Sequence, residues 1–474
     1  MTVLPDHKTK IVVTIGPASE SQEMIERLIL AGMNVARLNF SHGEFAAHAA
    51  VIQRIRAAEK TTGRKVAIMA DLSGPKMRLG KISPEPIVLK AGDLFTLTSE
   101  AVTGNGQRVS MSFEPLPKVV KTGDKLFLND GLVQLAVESI SGKDVSCRVL
   151  VGGELRSKKG LNLPGIDLGI SAFTERDREC LEFALKNGVD AVSQSFVETA
   201  EDIERVREAA AGMGQRPFIV AKIERAGALA HLDGILRAAD GIMVARGDLG
   251  VEVPIEEIAI TQKKMIARAN LAGKPVIVAT QMLESMTSSR LPTRAEATDV
   301  ANAIIDGTDA VMLSAESAMG LFPEEAVRML ARIAAFTEAN RPRVTLKAIH
   351  ELCEQDVIDS PGEAESLVVE HALQTISVKA VFVPFRSGAT VRMISRFKPP
   401  AWIVAAGSGG AVGSGLLFSY GVYPVEIPEE PESWASCATA WLKKEIPDGG
   451  NAILVAGPSA REPQANYRME FLKF

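Results

Sequence analysis

The chain has 474 residues, 46% of them apolar, so it is too long for one ordinary domain and can supply two or three cores. Its net charge of −5 comes from mixed acidic and basic residues, and aromatic residues make up only 5%, which argues against a nucleic-acid partner. The four cysteines lie far apart, the first ten residues lack an apolar signal core and no apolar run reaches about 18 residues. Neither a thiolate metal site nor a membrane partner is therefore indicated, and we expect a cytoplasmic protein.

Short apolar runs rich in Val and Ile recur along the chain and are typical of buried parallel strands. The eight runs begin near Ile11, Asn34, Lys65, Ala191, Phe218, Gly241, Pro275 and Ala310. Helical patterns lie between most of them, for example at residues 21–31 and at residues 199–210, where Thr199 is a possible N-cap. Eight such units predict an α/β fold built on a closed (β/α)8 barrel, and this rhythm alone leaves an open doubly wound sheet as the alternative.

A long interval separates the third run from the fourth. It contains short alternating segments such as FTLTSE, KLFLND and VQLAVES, which are separated by turn residues. This pattern predicts a small all-β domain inserted after the third strand, at the barrel mouth, where a lid belongs. We place the barrel at residues 1–75 and 168–340 and the inserted domain at residues 76–167.

The C-terminal part has its own rhythm, with the runs KAVFVPF, AWIVAAG, VYPVEI and NAILVAG alternating with helical patterns. A separate α/β domain at residues 341–474 is predicted. The polar linker at about residues 342–361 is expected to be helical in places. The glycine-rich stretch at residues 407–415 lacks the GxGxxG spacing, so a flexible loop is predicted there.

Polar side chains follow six of the eight predicted barrel strands, at the carboxyl ends where barrel active sites are built. They are Asn39, Ser41, Asp71, Lys222, Glu224, Arg246, Asp248, Thr280, Ser314 and Glu316. Loops that merely follow strands explain one or two such ends, but they explain six poorly. A functional site at this end of the barrel is therefore predicted.

Lys222 and Glu224 point to the same side of the fifth strand, because side chains alternate along a strand. An ammonium and a carboxylate in a barrel mouth are costly to bury unless something binds them, and a buried ion pair is the alternative. Asp248 follows the next strand and would lie within reach of the same cation as Glu224. Two carboxylates with water and substrate oxygens suit Mg²⁺ or Mn²⁺.

Two further features favour anion binding. The segment RGDLGVEVP predicts a strand turning into a short helix, where backbone amides bind anions and Gly247 lets a carboxylate come close. In the second strand Arg37, Asn39 and Ser41 share one face. The fixed fork of donors in Arg37 suits a phosphoryl oxygen.

Seven segments in this order resemble pyruvate kinase: TKIVVTIGPAS, AGMNVARLNFSHG, KKGLNLPG, AKIER, DGIMVARGDLGVEVP, ATQMLESM and AVMLSAES. The resemblance extends over about residues 10–329 and weakens in the C-terminal third. It implies a barrel with an inserted β lid, a C-terminal domain of effector and oligomerisation type, and a homotetramer. The implied reaction is Mg²⁺-dependent transfer of the phosphoryl group of phosphoenolpyruvate to ADP, which gives pyruvate and ATP in the last step of glycolysis.

The resemblance also implies residue roles. Lys222 would stabilise the phosphoryl group in flight, and Glu224 and Asp248 would bind the metal. Arg37 would contact the phosphoryl group. The other implied roles are the substrate carboxylate for Gly247, Asp248 and Thr280, the nucleotide for Asn39, His42 and Arg78, and a water network that protonates the enolate for Thr280, Ser314 and Glu316. His42 is equally compatible with a solvated loop position.

Several positions depart from the family pattern. Thr199 stands where the family usually has a basic residue that holds nucleotide phosphates, and Ala47 stands where it has a tyrosine near the nucleotide. In the loop PFRSGAT, Phe385 replaces a hydroxyl residue of the effector site. Nucleotide binding and regulation could therefore differ from the family pattern.

The loop after the third strand differs in a way that bears on K⁺. In the family a K⁺ ion is held by residues matching Asn39, Ser41, Asp71 and the backbone carbonyl of Leu72. The usual DTKGPEIRTG is here DLSGPKMRLG, so a glutamate has become Lys76 and two threonines have become Leu72 and Leu79. This resembles the K⁺-independent branch, in which a tethered ammonium replaces the ion. The alternative is that Lys76 is a solvated surface lysine.

Two other functions compete with this interpretation. A metal-dependent lyase or aldolase acting on a pyruvate enolate also uses paired carboxylates, but it needs neither the inserted domain nor the set Arg37, Asn39 and Arg78. A non-catalytic relative would not be expected to keep Lys222, Glu224, Asp248 and Thr280 together.

Overall fold

The structure, a computed structural model, describes residues 4–342, 361–458, 461 and 464–474. Its centre is a closed barrel of eight parallel strands, which confirms the predicted (β/α)8 architecture and excludes the open sheet. Numbered along the chain, these strands are β1 (Lys10–Thr14), β2 (Val35–Asn39), β3 (Ala67–Leu72), β12 (Ala191–Gln194), β13 (Phe218–Ile223), β14 (Gly241–Ala245), β15 (Val276–Ala279) and β16 (Ala310–Leu313). Around the barrel they follow the order β1-β16-β15-β14-β13-β12-β3-β2.

Helices surround the barrel because each strand run is followed by an amphipathic segment. The main ones are Gln22–Ala31, Phe45–Thr62, Glu175–Lys186, Ala200–Gly212, Leu232–Ala238, Ile258–Leu271, Arg294–Ile305 and Pro323–Asn340, and three shorter α-helices are Ala226–Ala230, Arg246–Glu252 and Ala315–Ala318. Ser21 caps the first helix by accepting from the Met24 amide, at 3.2 Å. Thr199 is the N-cap of Ala200–Gly212, as predicted, and its amide donates to Asp202. None of the helices in the described ranges is long and apolar enough to span a bilayer.

The insertion between β3 and β12 is mostly strand, as predicted. Its strands are β4 (Ile87–Leu89), β5 (Leu94–Thr98), β6 (Arg108–Ser110), β7 (Lys125–Leu128), β8 (Val133–Ser141), β9 (Asp144–Val151), β10 (Gly153–Leu155) and β11 (Leu161–Asn162), with one short helix at Leu116–Val119. Six strands form one sheet in the order β11-β7-β8-β9-β5-β6, and β4 pairs with β10. Alternate residues such as Leu126, Leu128 and Leu135 are buried in a core of the insertion's own.

The C-terminal domain contains the predicted parallel strands and a fifth, antiparallel one. They are β17 (Ala380–Pro384), β18 (Trp402–Gly407), β19 (Val422–Glu426), β20 (Asn451–Ala456) and β21 (Arg468–Lys473), and the helices are Pro361–Thr375, Ala389–Ser395, Gly410–Leu416 and Trp434–Glu445. The predicted flexible loop at residues 407–415 is wrong, because residues 410–416 form a helix. The predicted linker at residues 342–361 lies almost wholly outside the described residues. The domain boundaries given above remain predictions.

The C-terminal domain packs against the amino-terminal end of the barrel. Phe418 stacks on Phe218, with ring centroids 4.9 Å apart. A Cβ on Gly415 would lie 2.8 Å from the Phe218 ring, so glycine is needed for this close approach. Asp309 at the start of β16 pairs with the buried Lys398, at 2.7 Å. The opposite, carboxyl-terminal end of the barrel stays free for a site.

Candidate functional site

Four charged residues predicted from the sequence meet at the carboxyl end of the barrel. Lys222 Nζ lies 2.8 Å from Glu224 Oε1 and 3.4 Å from Asp71 Oδ1. Arg37 donates to Asp71 through Nε, at 2.8 Å, and also through Nη2. The side chains are 3–12% exposed, so two cations and two carboxylates share one nearly dry space. The Lys222–Glu224 pair considered as an alternative is therefore present, as part of a larger cluster.

Asp71 connects this cluster because β3 is next to β2, which carries Arg37, and only β12 separates it from β13, which carries Lys222. In the sheet register Asp71 is opposite Asn39 on one side and Ser193 on the other. The Ser193 hydroxyl donates to Asp71, at 2.8 Å. Burial alone would raise the pKa of Asp71, but Lys222 and Arg37 outweigh it and lower that pKa to about 2. Asp71 is thus an anion that orients both cations toward the barrel mouth.

Lys222 is held in its charged form. Burial alone would lower its pKa, but Asp71 and then Glu224 outweigh burial and raise the pKa above its usual value. Nζ also donates to the Ser195 hydroxyl, at 2.7 Å, and that hydroxyl donates to the backbone carbonyl of Leu72, at 2.7 Å. The ammonium therefore has a fixed position as well as a fixed charge.

Glu224 and Asp248 face the same space. Although part of the Asp248 residue is exposed to solvent at the mouth, desolvation of its carboxyl by the surrounding protein and then the charge of Glu224 raise its pKa to about 6, while Lys222 lowers it. A divalent cation between the two carboxylates would relieve their repulsion, so the donor set fits Mg²⁺ or Mn²⁺ with substrate and water oxygens completing the shell. Within the described ranges no group of three or more His, Cys, Asp or Glu side chains is arranged for a metal, so this site would offer two carboxylates and no third such ligand.

The inserted domain reaches this site. Asp130, in the segment after β7, raises the pKa of Asp248, and the Asn162 side chain of β11 lowers it through a hydrogen bond. Asn162 was not among the predicted site residues. It lies in the recognised segment KKGLNLPG, and that segment was the only available signal.

Thr280 and Gly247 lie side by side. The Gly247 amide donates to Thr280 Oγ1, at 2.8 Å, and that hydroxyl donates to the Ala279 carbonyl, at 2.5 Å. Gly247 belongs to the short helix Arg246–Glu252, whose first turn also contains Asp248. A Cβ on Gly247 would approach Thr280 to 3.6 Å and fill space beside the hydroxyl. The absence of a side chain keeps this space available for a ligand.

Arg246 follows β14, and its side chain contacts the loop after β15, which the sequence did not predict. Its guanidinium donates to the Thr280 carbonyl, at 2.7 Å, and forms an ion pair with Asp299 of the helix Arg294–Ile305, at 2.7 Å. Thr280 and Gln281 both have positive φ, +68° and +53°. No sequence pattern gave a reason for that conformation.

A second set of basic residues lies near Arg37 and Lys222. Burial and then the charges of Arg78 and Lys222 lower the pKa of Lys76 to about 8. Burial and then the charge of Lys76 lower the pKa of His42. Arg37 contributes to both shifts. The basic residues predicted for phosphate contacts therefore surround one region, and Lys76 is a half-buried member of it.

Among the residues predicted for the monovalent cation, Asn39 and Ser41 have hydrogen-bonded polar side chains and Leu72 has a buried apolar one. The Asn39 carboxamide accepts from the Ser41 amide, at 3.1 Å, and the Ser41 and Ser73 hydroxyls are 2.8 Å apart. Leu72 is fully buried, with its side chain in the core between strands and helices. Leu79 packs in the core of the insertion.

Ser314 and Glu316 lie at the end of β16. The Glu316 carboxylate is fully buried and accepts from the amides of Ser314, at 2.7 Å, and Leu283, at 3.1 Å. These contacts tie the loop after β15 to the loop after β16. Glu316 is therefore fixed near the Thr280 loop, in the neighbourhood that was predicted for it.

Comparisons with known proteins give a consistent result. The family model described as pyruvate kinase, barrel domain, matches residues 6–327, and the one described as pyruvate kinase, alpha/beta domain, matches residues 363–467. Pyruvate kinase of Thermococcus litoralis is 49% identical over 430 residues, covering 90% of both chains. Pyruvate kinase of Geobacillus stearothermophilus is 44% identical over 425 residues, covering 89% of this chain and 72% of the relative. The crystal structure of a pyruvate kinase from Cryptosporidium parvum superposes with a TM-score of 0.90 at 35% identity, covering 99% of this chain and 96% of the other.

Proposed function

The chain belongs to the pyruvate kinase family, and on that premise we propose that the cluster at its barrel mouth transfers the phosphoryl group of phosphoenolpyruvate to ADP. The observation that carries this proposal is the convergence of Lys222, Arg37, Glu224 and Asp248 at one place in the barrel mouth. The products would be pyruvate and ATP, as in the last step of glycolysis.

Phosphoryl transfer needs positioning and charge neutralisation more than covalent help. Lys222 and Arg37 supply two fixed positive charges for the phosphoryl oxygens, since Asp71 holds both in place. Glu224 and Asp248 would bind Mg²⁺ or Mn²⁺, which when bound neutralises negative charge on substrate oxygens. The residues of the chain thus provide charges of both signs without rearrangement of the barrel.

The remaining roles follow from neighbouring groups. The amides of Gly247 and Asp248, with the Thr280 hydroxyl, are suited to a substrate carboxylate. Arg78, together with Asn39 and His42, would face the nucleotide. The remaining proposed role, a water network from which the enolate is protonated, belongs to Thr280, Ser314 and Glu316.

The insertion would act as a lid. Asp130 and Asn162 are near enough to Asp248 to change its pKa, so the lid reaches the metal-binding side of the mouth. Closure there would exclude water, which could otherwise accept the phosphoryl group.

We also propose that the chain does not need K⁺. The Lys76 residue is half-buried, and the charges of Arg78, Lys222 and Arg37 all lower the pKa of its ammonium, so it lies near the groups that we propose for phosphate. It is therefore placed to supply the charge that K⁺ supplies elsewhere. The Leu72 and Leu79 side chains pack in cores, at two positions where the family usually has threonine. A homotetramer and a cytoplasmic location are further proposals that rest on the resemblance.

An assay of pyruvate formation tests the proposed reaction. We expect the purified chain to form pyruvate from phosphoenolpyruvate only when ADP and Mg²⁺ or Mn²⁺ are both present, because the cluster needs both to complete it. Pyruvate release can be followed through lactate dehydrogenase and NADH. Cleavage of phosphoenolpyruvate without ADP, or no pyruvate at all, would contradict the proposal.

Replacing Thr280 with alanine should affect the proton step selectively. We expect exchange of the pyruvate methyl protons into deuterated water to slow by about 100-fold, since a positioned proton-transfer group contributes that much. Mn²⁺ affinity should change far less, because Thr280 is not a proposed metal ligand. Proton exchange at the wild-type rate, measured by NMR, would remove Thr280 from the proton path.

A further inference from the structure

Thr280 occupies a backbone conformation that its side chain does not favour. Its φ is +68° and that of Gln281 is +53°, in the left-handed region where a β-branched residue is a genuine outlier. In this conformation the Thr280 hydroxyl accepts from the Gly247 amide and donates to the Ala279 carbonyl. Such conformations persist where surrounding structure over-determines them, so the source of that constraint has functional interest.

Arg246 contacts the strained segment directly. Its guanidinium donates to three consecutive carbonyl oxygens of the strained segment, at 3.4 Å for Ala279, 2.7 Å for Thr280 and 3.4 Å for Gln281. On its other side Nη1 pairs with Asp299, at 2.7 Å. The Arg246 side chain is only 13% exposed. A planar fork of donors can make this set of bonds at once, and a lysine ammonium cannot reproduce it.

We propose that Arg246 is a positioning residue for Thr280. It holds the backbone of residues 279–281 in the left-handed shape, and it thereby sets the Thr280 hydroxyl beside the Gly247 amide. Asp299 orients the guanidinium from the helix Arg294–Ile305. Arg246 acts through Thr280. The inference rests on the proposed function, because its test measures the proton step that is assigned to Thr280.

The position of Arg246 in the chain strengthens this role. Gly247, the next residue, donates its amide to the Thr280 hydroxyl, while Arg246 donates to the Thr280 carbonyl. Two successive residues therefore hold the two polar ends of one threonine. A shift of Arg246 would move the hydroxyl and the anion-binding amide relative to each other, and misplacements of about 1 Å can cost about 100-fold in rate.

A double-mutant cycle tests this inference. Arg246→Met should slow exchange of the pyruvate methyl protons by about 100-fold, and Arg246→Lys should slow it by about tenfold because the charge remains but the fork is lost. In the Thr280→Ala background, Arg246→Met should add less than about threefold, since a residue that acts through Thr280 has nothing left to position. Added methylguanidinium should restore part of the exchange in Arg246→Ala.

The matched control is Arg268→Met, which removes an arginine paired with Asp233, at 3.0 Å, on the outside of the barrel. It should leave proton exchange unchanged. Losses that multiply in the double mutant, or wild-type exchange in Arg246→Met, would overturn the inference. If Arg246→Met does not fold, the cycle with Arg246→Lys decides in the same way. Absence of exchange in the wild type would contradict the proposed function. Rate losses that multiply in the double mutant of an otherwise active enzyme would contradict only the role of Arg246.

Discussion

Replacing Asp248 with alanine is expected to lower turnover by at least about 100-fold, the usual loss when one preorganised electrostatic group is removed from an active site. Asp248 is one of only two carboxylates proposed for the divalent metal. Part of the residue is exposed to solvent at the barrel mouth, and desolvation of its carboxyl by the surrounding protein together with the charge of Glu224 raises its pKa to about 6. Without Asp248, Glu224 remains paired with Lys222 and would have to hold the metal alone.

The expected loss has two parts that can be measured separately. Mn²⁺ titration should show weaker metal binding, and turnover should stay low even when Mg²⁺ is raised to saturation, because alanine leaves one oxygen ligand missing. Asp233→Ala is the matched control, since Asp233 is an exposed carboxylate on the outside of the barrel. Near-normal turnover of Asp248→Ala at ordinary Mg²⁺ would show that the metal has been assigned to the wrong residues.

Local patterns in the sequence predict the barrel and some of the contacts within its site. Alternation along β13 placed Lys222 and Glu224 on one side, and the structure pairs them. The same reasoning could not predict that Asp71 joins Arg37 to Lys222, because that depends on β2, β3, β12 and β13 being successive strands of a closed barrel. Closure is set by packing of the whole chain, and it has no signature within one segment.

Contacts between domains could not be predicted either, because they also depend on packing of the whole chain. Asn162 reaches Asp248 from an inserted sheet, and only the position of the lid explains the contact. The stretch at residues 407–415 was predicted as a flexible loop because it is rich in glycine and lacks the GxGxxG spacing, yet Gly410–Leu416 is a helix although each glycine in a helix costs about 1 kcal/mol relative to alanine. Gly415 is there because a larger residue would collide with Phe218 of the barrel. Tertiary packing outweighed local propensity at that position.

The second large effect concerns K⁺, for which we expect the wild-type enzyme to keep near-full activity in K⁺-free buffer. The Lys76 ammonium has the same charge as K⁺, and the charges of Arg78, Lys222 and Arg37 all act on its pKa. Because it is tethered to the chain, no binding equilibrium with free K⁺ is needed. Replacing K⁺ with tetramethylammonium at equal ionic strength isolates the ion from general salt effects. Activity that collapses under this exchange would refute K⁺ independence.

Lys76→Glu should convert the enzyme to K⁺ dependence. Glutamate removes the tethered charge and supplies a carboxylate near the Asn39, Ser41 and Asp71 groups, where the family holds its K⁺ ion. We expect activity without K⁺ to fall by at least about tenfold, the effect of losing one electrostatic contribution, and added K⁺ to recover most of it. Lys81→Glu, an equal charge reversal at an exposed position of the insertion, should change neither value. Equal K⁺ responses in Lys76→Glu and wild type would mean that Lys76 is an ordinary solvated lysine, whereas a loss that K⁺ does not restore would mean that its charge serves the phosphates directly and does not replace the ion.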